Sequence, residues 1–78
     1  MELTPRQLEV LKWTALGKTE QETADIMGIS KQAVCHHKLR VRDKLDAPTI
    51  AAMTHWAIAH GVVELMYEKG KAVKGNQP

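Results

Sequence analysis

The sequence predicts an all-α domain in which four helices pack around one small core. Residue types that commonly cap the start of a helix alternate along the chain with glycines at which helices commonly end. Between these signals, apolar side chains recur at the spacing of one buried helical face. A chain of 78 residues has room for one such core and not for two.

The first helix is predicted over about residues 5–16. Thr4 can accept the backbone N–H of Gln7, whose side chain can reach back to Thr4, and Pro5 suits the first helical position. The first helix is expected to end at Gly17. The residues expected on the buried face are Leu8, Leu11 and Ala15, flanked by Val10 and Leu16.

Two further side chains are expected near this face. Leu3 is placed to pack onto Leu8 across the start of the helix. Trp13 is expected to cover part of the core, since an indole buries a large area and needs one partner for its N–H. Stacking of Trp13 on a ligand is the alternative.

The second helix is predicted over residues 20–27. Thr19 and Glu22 have the spacing of a reciprocal capping box, and Gly28 supplies the left-handed backbone that ends a helix, after which Ile29 can fold back onto the core. The expected buried face is thin and consists of Thr23, Ala24 and Met27, with Ile26 beside it.

The third helix is predicted over residues 31–45, with Ser30 as its cap. Its expected buried residues are Val34, Val41 and Leu45, with the aliphatic stem of Lys38 along the same side and its ammonium in water. Two helices joined by so short a turn are typical of a helix-turn-helix.

Charge is concentrated on this third helix. Residues 1–30 hold three basic and five acidic side chains, a net charge of −2, whereas residues 31–45 hold five basic and one acidic, a net charge of +4. The remaining residues balance, so the overall +2 conceals one basic helix. A basic helix that follows a tight turn suits the major groove of double-stranded DNA. The alternative is a solvated basic face without a ligand.

The fourth helix is predicted over residues 48–60, with Pro48 at its first position and Gly61 at its end. It is apolar on more than one side, although so small a domain can cover only one. Self-association is therefore expected, with plain core packing as the alternative. The predicted dimer contacts are Ile50, Met53, Trp56, Ala57 and His60.

The domain is expected over residues 1–67, with a short extra helix possible from Val62 to Tyr67. Residues 68–78 are rich in lysine, glycine and polar residues and are expected to form a flexible tail. Its lysines can reach phosphates, although solvation of the tail is the simpler expectation.

Composition excludes several classes of protein. Hydrophobic residues make up 44% and charged residues 26% of the chain, which argues against global disorder. No apolar run approaches the roughly 20 residues that span a bilayer, and the N-terminus lacks a signal-peptide pattern. The single Cys35 rules out an internal disulfide and fits a reducing compartment. A cytoplasmic location without membrane association is expected.

Enzymatic and metal chemistry find little support in the sequence. His36 and His37 are adjacent, so on a helix they point about 100° apart and cannot easily share a metal ion. Cys35 beside them lacks an oxyanion site or a pocket, and the Gly17-Lys18-Thr19 run lacks the upstream glycine of a P-loop. We expect neither catalysis, nor a cofactor, nor a metal, and we interpret His37 as a structural residue.

The sequence resembles the LuxR-type, or GerE-like, helix-turn-helix family over about residues 3–63, without insertion or deletion. Trp13 and the Lys-Leu-Asp-Ala run are most similar to the branch attached to acyl-homoserine-lactone receptors, which regulate quorum sensing. The matching segments are Leu3-Thr4-Pro5-Arg6, Glu9-Val10-Leu11, Gly17-Lys18-Thr19, Glu22, Ala24, Gly28-Ile29-Ser30, Val34, His37, Lys44-Leu45-Asp46-Ala47 and Gly61-Val62-Val63.

This resemblance implies a third helix in the major groove and a fourth helix that pairs across the two-fold axis of a palindromic site. By helix position, the expected base-facing residues are Lys31, Gln32, Cys35, His36 and Leu39. The expected phosphate contacts are Thr4, Lys18, Thr19, Lys38, Arg40, Arg42 and Lys44.

The reading face departs from the family. Relatives tend to carry basic residues at the positions of Cys35 and Leu39, a bulky apolar residue at His36, an apolar one at Lys38 and asparagine at Arg40. Because bidentate cations are missing at two of these positions, base discrimination is expected to be weaker than, or different from, that of relatives.

Two functions follow as hypotheses. The first is a sequence-specific transcriptional regulator that binds double-stranded DNA as a homodimer, has no small-molecule ligand domain, and contacts partners such as RNA polymerase. The second is an interaction protein that pairs with a full-length LuxR-type regulator and antagonises its DNA binding. DNA binding should weaken steeply with salt, whereas pairing should depend little on DNA.

Overall fold

The computed structural model describes residues 2–63, which form four helices and no strand. Helix α1 spans Pro5–Ala15, α2 Glu20–Met27, α3 Lys31–Leu45 and α4 Ile50–Ala59. The predicted all-α fold of four helices is confirmed. From residue 64 onward, the predicted short helix and the tail over 68–78 lie outside the described residues. None of the described helices is long and apolar enough to cross a membrane.

Side-chain caps set where each helix begins. Thr4, Thr19 and Ser30 each accept the backbone N–H three residues later, at 3.0–3.1 Å. The first two caps are reciprocal, since Gln7 and Glu22 accept the N–H of Thr4 and Thr19 at 3.0 and 2.8 Å. The predicted starts of α1, α2 and α3 are therefore confirmed.

Helix α4 is shorter than predicted. Its first helical residue is Ile50 rather than Pro48, because the Thr49 hydroxyl accepts the N–H of Ala52 at 3.0 Å and makes Thr49 the cap. The helix ends at Ala59, and Gly61 follows with φ 76°.

A residue with left-handed backbone conformation ends each of α2 and α3. Gly28 has φ 69°, and the N–H of Ile29 then reaches the carbonyl of Ala24 at 3.1 Å. Helix α3 ends in the same way at Asp46, with φ 54°, and the N–H of Ala47 reaches the carbonyl of Arg42 at 3.0 Å. In both cases the next side chain folds back onto the core, as these C-terminal motifs require.

The core consists of two clusters that meet along α1 and α3. One joins Val10 of α1, Ala24 of α2 and Val34 of α3. The other joins Leu11, Val41, Leu45, Ala47, Met53 and Ala57. Because α3 contributes to both clusters, its outward face is held at two points along its length.

The buried face of α1 differs from the prediction. Val10 and Leu11 are buried as expected, but Leu8 and Leu16 are 42% and 41% exposed, while the polar Gln7 and Thr14 are buried. Adjacent Val10 and Leu11 each serve a different cluster, so the buried face is centred between them and excludes Leu8. Leu3 accordingly packs against the larger cluster.

Candidate nucleic-acid interface

The predicted base-facing residues come together on one surface of α3. Lys31, Gln32, Cys35, His36 and Leu39 line a single open hollow, which we call the α3 hollow. Four of these side chains are exposed, and Cys35 is half-buried. The opposite side of the helix carries Val34 and Val41, which are almost completely buried. Because the opposite side of the helix is held in the core, all five side chains point outward.

Cys35 is less free than the sequence indicates, because its thiol contacts α2. Its Sγ donates a hydrogen bond to Glu20 Oε1 at 3.1 Å. This bond raises the pKa of the Cys35 thiol above its ordinary value of 9.0, at which the side chain is already neutral near pH 7. The same bond, with a smaller contribution from Lys38, lowers the pKa of Glu20. A carboxylate therefore lies beside the α3 hollow, in a neighbouring hollow that Cys35 and Leu39 also line.

The assignment of Lys38 as a phosphate contact does not fit its surroundings. Its Nζ lies 3.4 Å from Glu20 Oε2, and its side chain is 18% exposed. The aliphatic stem is covered, as the helical spacing predicts, but the ammonium turns toward an acidic partner on α2 rather than toward solvent. The positive charge of Lys38 is thus partly offset within the domain by the carboxylate of Glu20.

Lys44 is also engaged within the chain. Its Nζ donates to the backbone carbonyl of Glu2 and to Gln7 Oε1, both at 2.9 Å. These acceptors are neutral, so Lys44 keeps its charge, but its position is tied to the start of α1. Its predicted phosphate contact requires DNA to pass that end of α3.

The remaining predicted phosphate contacts are exposed. Within residues 2–63, no acidic side chain lies within 4 Å of the charged groups of Lys18, Lys31 or Arg40, and Arg42 makes only a 3.9 Å exposed contact with Asp43. Thr4 and Thr19 lie at helix starts, where their hydroxyls already accept capping bonds. Each can still donate its hydroxyl proton to a phosphate.

The two adjacent histidines differ in their surroundings. Their ring centroids lie 6.0 Å apart in an edge-to-face arrangement, with His36 exposed and His37 half-buried. Among the described residues, no three histidine, cysteine or acidic side chains are grouped as a metal ion would require.

Two of the five predicted dimer contacts lie in the core instead. Met53 is 3% exposed and Ala57 0%, because both belong to the cluster that contains Leu11 and the end of α3. In this conformation, neither side chain has accessible surface that a second protomer could contact. Ile50 is 54% exposed, while Trp56 is half-buried with the His60 ring stacked on it at 3.8 Å.

Trp13 finds its N–H partner on its own helix. Its Nε1 donates to Glu9 Oε2 at 3.3 Å, and Lys12 Nζ lies 4.7 Å from the ring centroid. The side chain is half-buried, and the polar contacts around it belong to the surface of α1.

Sequence reasoning missed Glu20 as a residue of this surface. Glu20 opens α2, and in the sequence it is only one of the five acidic residues of the first thirty. Its contacts with Cys35 and Lys38 span 15 and 18 positions. Those separations leave no periodic pattern to detect, and only the packing of α2 on α3 brings the groups together.

Comparisons with known proteins agree with this geometry. A family model described as "Bacterial regulatory proteins, luxR family" matches residues 1–57. Regulatory protein SdiA of Escherichia coli is 36% identical over 63 residues, which cover 81% of this chain and 26% of SdiA.

Two further relatives are regulators by name. The HTH-type quorum sensing-dependent transcriptional regulator RpaR of Rhodopseudomonas palustris is 38% identical over 81% of this chain and 26% of its own length. The HTH-type quorum-sensing regulator RhlR of Pseudomonas aeruginosa is 38% identical over 78% of this chain and 25% of its own. The chain thus spans about a quarter of the length of these relatives. No solved structure gives a significant match.

Proposed function

Because the chain belongs to the luxR family of bacterial regulatory proteins, we propose that it is a transcriptional regulator that reads double-stranded DNA with α3. The observation that supports this most strongly is the α3 hollow. Five outward positions of the helix after the turn line one open surface, while the opposite face is held in the core. This is the arrangement by which a recognition helix enters the major groove.

Electrostatics supports the same function. Lys31 lies at the start of α3, and the exposed Arg40 and Arg42 lie toward its end, so cations are present at both ends of the α3 hollow. Such cations position a helix by binding phosphates, while the side chains between them contact base edges. Glu20 lies beside the hollow and offsets part of the charge of Lys38. We therefore assign phosphate binding chiefly to Arg40 and Arg42, and also to Lys31, which the sequence placed among the base-facing residues, with Lys18 and the helix starts beside them.

Pairing of two protomers through α4 belongs to the same proposal. With Met53 and Ala57 in the core, the pairing surface reduces to Ile50, Trp56 and His60, of which Ile50 is a large exposed apolar side chain. So small a surface favours weak association in solution, strengthened when DNA places two half-sites side by side.

Selection from a randomised duplex pool tests the proposed function. The purified chain should recover a palindromic motif, and its affinity should fall steeply as salt rises. The double variant Lys31→Ala, Arg40→Ala should bind DNA at least about tenfold more weakly. The slope of log affinity against log salt should also become shallower by about one for each phosphate contact that is lost. Lys12→Ala, which removes an exposed cation from α1, is the matched control and should bind as the unaltered chain does.

The alternative is that the chain antagonises a longer LuxR-type regulator by pairing with it. The ion pair between Lys38 and Glu20 favours this alternative, because it leaves α3 with a weaker positive potential than its sequence charge indicates. Recovery of no duplex by a folded sample, together with DNA-independent binding to such a regulator, would replace the first function by the second.

A further inference from the structure

Along one side of the α3 hollow, between the cations that flank it, the lining side chains change from polar to apolar. Lys31, Cys35 and Leu39 follow one another at four-residue intervals, so they line one side of α3 at steps of about 6 Å. The side chains thus change from a cation to a thiol to an aliphatic group over about 12 Å, the length of three to four base pairs.

Leu39 is exposed at the apolar end. It is 50% exposed and belongs to neither core cluster, so the stability of the domain does not explain its presence there. It also borders a neighbouring hollow of about 280 Å³ that α3 shares with the start of α4. An aliphatic side chain in this position gains free energy only when a ligand covers it.

Cys35 extends this apolar end. Its S–H is directed to Glu20 at 3.1 Å, on the α2 side of the helix, so the proton is not offered to a ligand in the α3 hollow. The ordinary pKa of a thiol, 9.0, already leaves it neutral near pH 7, and the bond to a carboxylate raises the pKa of Cys35 further. A neutral sulfur whose proton is already used behaves as a small apolar group.

The major groove presents one apolar group, the C5-methyl group of thymine. We infer that Leu39, with the sulfur of Cys35 beside it, is a specificity-determining residue that binds this methyl group. The inference rests on the proposed function, since it takes α3 to lie in the major groove. It assigns an A·T pair to the part of each half-site that Leu39 covers, about three to four base pairs from the position of Lys31.

The test uses uracil, which differs from thymine only by lacking this methyl group. One randomised duplex pool is copied either with thymidine or with deoxyuridine triphosphate, and the chain selects from both. The best duplex is then made with thymine or uracil at each T position in turn. Replacement at the position under Leu39 should weaken binding about fourfold for each methyl group removed, and replacements elsewhere should have no effect.

Leu39→Ala should bind the thymine and uracil duplexes equally, because the partner of the methyl group is gone. Leu8→Ala is the matched control: Leu8 is 42% exposed on α1, so the same truncation there should preserve the ratio between the two duplexes. The comparison of the two duplexes with the unaltered chain does not depend on the folding of any variant.

Equal binding of both duplexes by the unaltered chain would overturn the inference while leaving the proposed function in place. Leu39 would then belong to the neighbouring hollow with Pro48 and Ile50. Recovery of no motif from either pool would instead overturn the proposed function, and the inference with it.

Discussion

At the scale of single residues, Glu20 has an influence that its position in the sequence does not suggest. One carboxylate accepts a hydrogen bond from the thiol of Cys35 and pairs with the ammonium of Lys38, so it raises the pKa of one side chain on α3 and offsets part of the charge of another. A basic recognition helix with an acidic residue beside it binds phosphates less strongly than its sequence charge indicates. We therefore expect Glu20 to weaken that part of the proposed DNA binding which does not depend on the base sequence.

Glu20→Gln is predicted to strengthen non-specific DNA binding. Release of Lys38 adds up to one phosphate contact per protomer, so the slope of log K against log salt should steepen by about 0.9. Because the carboxylate raises the pKa of Cys35, its removal should also lower that pKa and speed alkylation by iodoacetamide near pH 8. Fluorescence anisotropy across a salt series and a timed alkylation measure the two effects.

Asp25→Asn is the matched control, since it removes the same charge from the exposed side of α2, where Asp25 accepts a hydrogen bond from Gln21. Equal effects of both variants would show that total charge, and not the contact with α3, controls binding.

The capping carboxylate of Glu22 predicts a specific acid dependence. Acceptance of the Thr19 N–H lowers the pKa of Glu22 below its ordinary value of 4.5. Its contribution to stability is therefore complete above about pH 4.5 and is lost as pH falls through the lower folded value. Glu22→Gln keeps an acceptor for the cap but cannot titrate, so its free energy of unfolding should fall less between about pH 5 and 3.

Urea denaturation at successive pH values measures this difference. Glu2→Gln, which removes a carboxylate that lies outside all four helices, is the control. An equal acid dependence of the Glu22 variant and the unaltered chain would contradict the assignment.

At the scale of elements, the connection between α2 and α3 determines how the α3 hollow is presented. Gly28 turns the chain with φ 69°, Ile29 packs against the smaller cluster, and Ser30 caps α3 one residue later. Three consecutive residues thus end one helix, anchor the turn and begin the next. The angle between the two helices depends on all three.

Gly28→Ala is predicted to destabilise the domain by about 1–2 kcal/mol, the cost of left-handed backbone for an L-residue. Among the described residues, no atom beyond Gly28 and its two chain neighbours lies within 4 Å of the Cβ that alanine would add, so collision with other parts of the fold contributes nothing. Gly28→Asn is the matched comparison and should cost less, because asparagine tolerates this conformation. Urea denaturation measures both, and equal stability of alanine and glycine there would contradict the backbone argument.

At the scale of the whole molecule, two small clusters hold four helices, and α4 serves one of them. The apolar character of α4 therefore has two causes that the structure separates: Met53 and Ala57 fill the core, while Ile50 remains at the surface. Truncation of a core residue and truncation of a surface residue should accordingly affect different properties.

Met53→Ala is predicted to destabilise the domain by about 2–5 kcal/mol, because it leaves a cavity in the cluster that contains Leu11 and Val41. Ile50→Ala should change stability by no more than about 0.5 kcal/mol and should reduce binding to a palindrome more than binding to one half-site. Denaturation and titration of the two duplexes measure these effects. A large loss of stability in the Ile50 variant would place Ile50 in the core and remove it from the pairing surface.

The sequence by itself determined that four segments are helical and where α1, α2 and α3 begin. Each cap joins groups three residues apart, as between Ser30 and Ala33, and a left-handed end depends on one residue, as at Gly28. Such interactions are local, so residue types and spacing suffice to predict them. Helical periodicity likewise indicated which side chains of α3 point away from the core.

Only the tertiary structure decided which partners these residues have. The bonds from Lys44 to Gln7 and to Glu2 cross 37 and 42 positions, and that from Cys35 to Glu20 crosses 15. Periodicity indicates that a helix has an apolar face, but the choice between Leu8 and Gln7, or between core and pairing roles for Met53, depends on which helix lies opposite. That choice depends on the packing of all four helices together, and no local stretch of the sequence contains it.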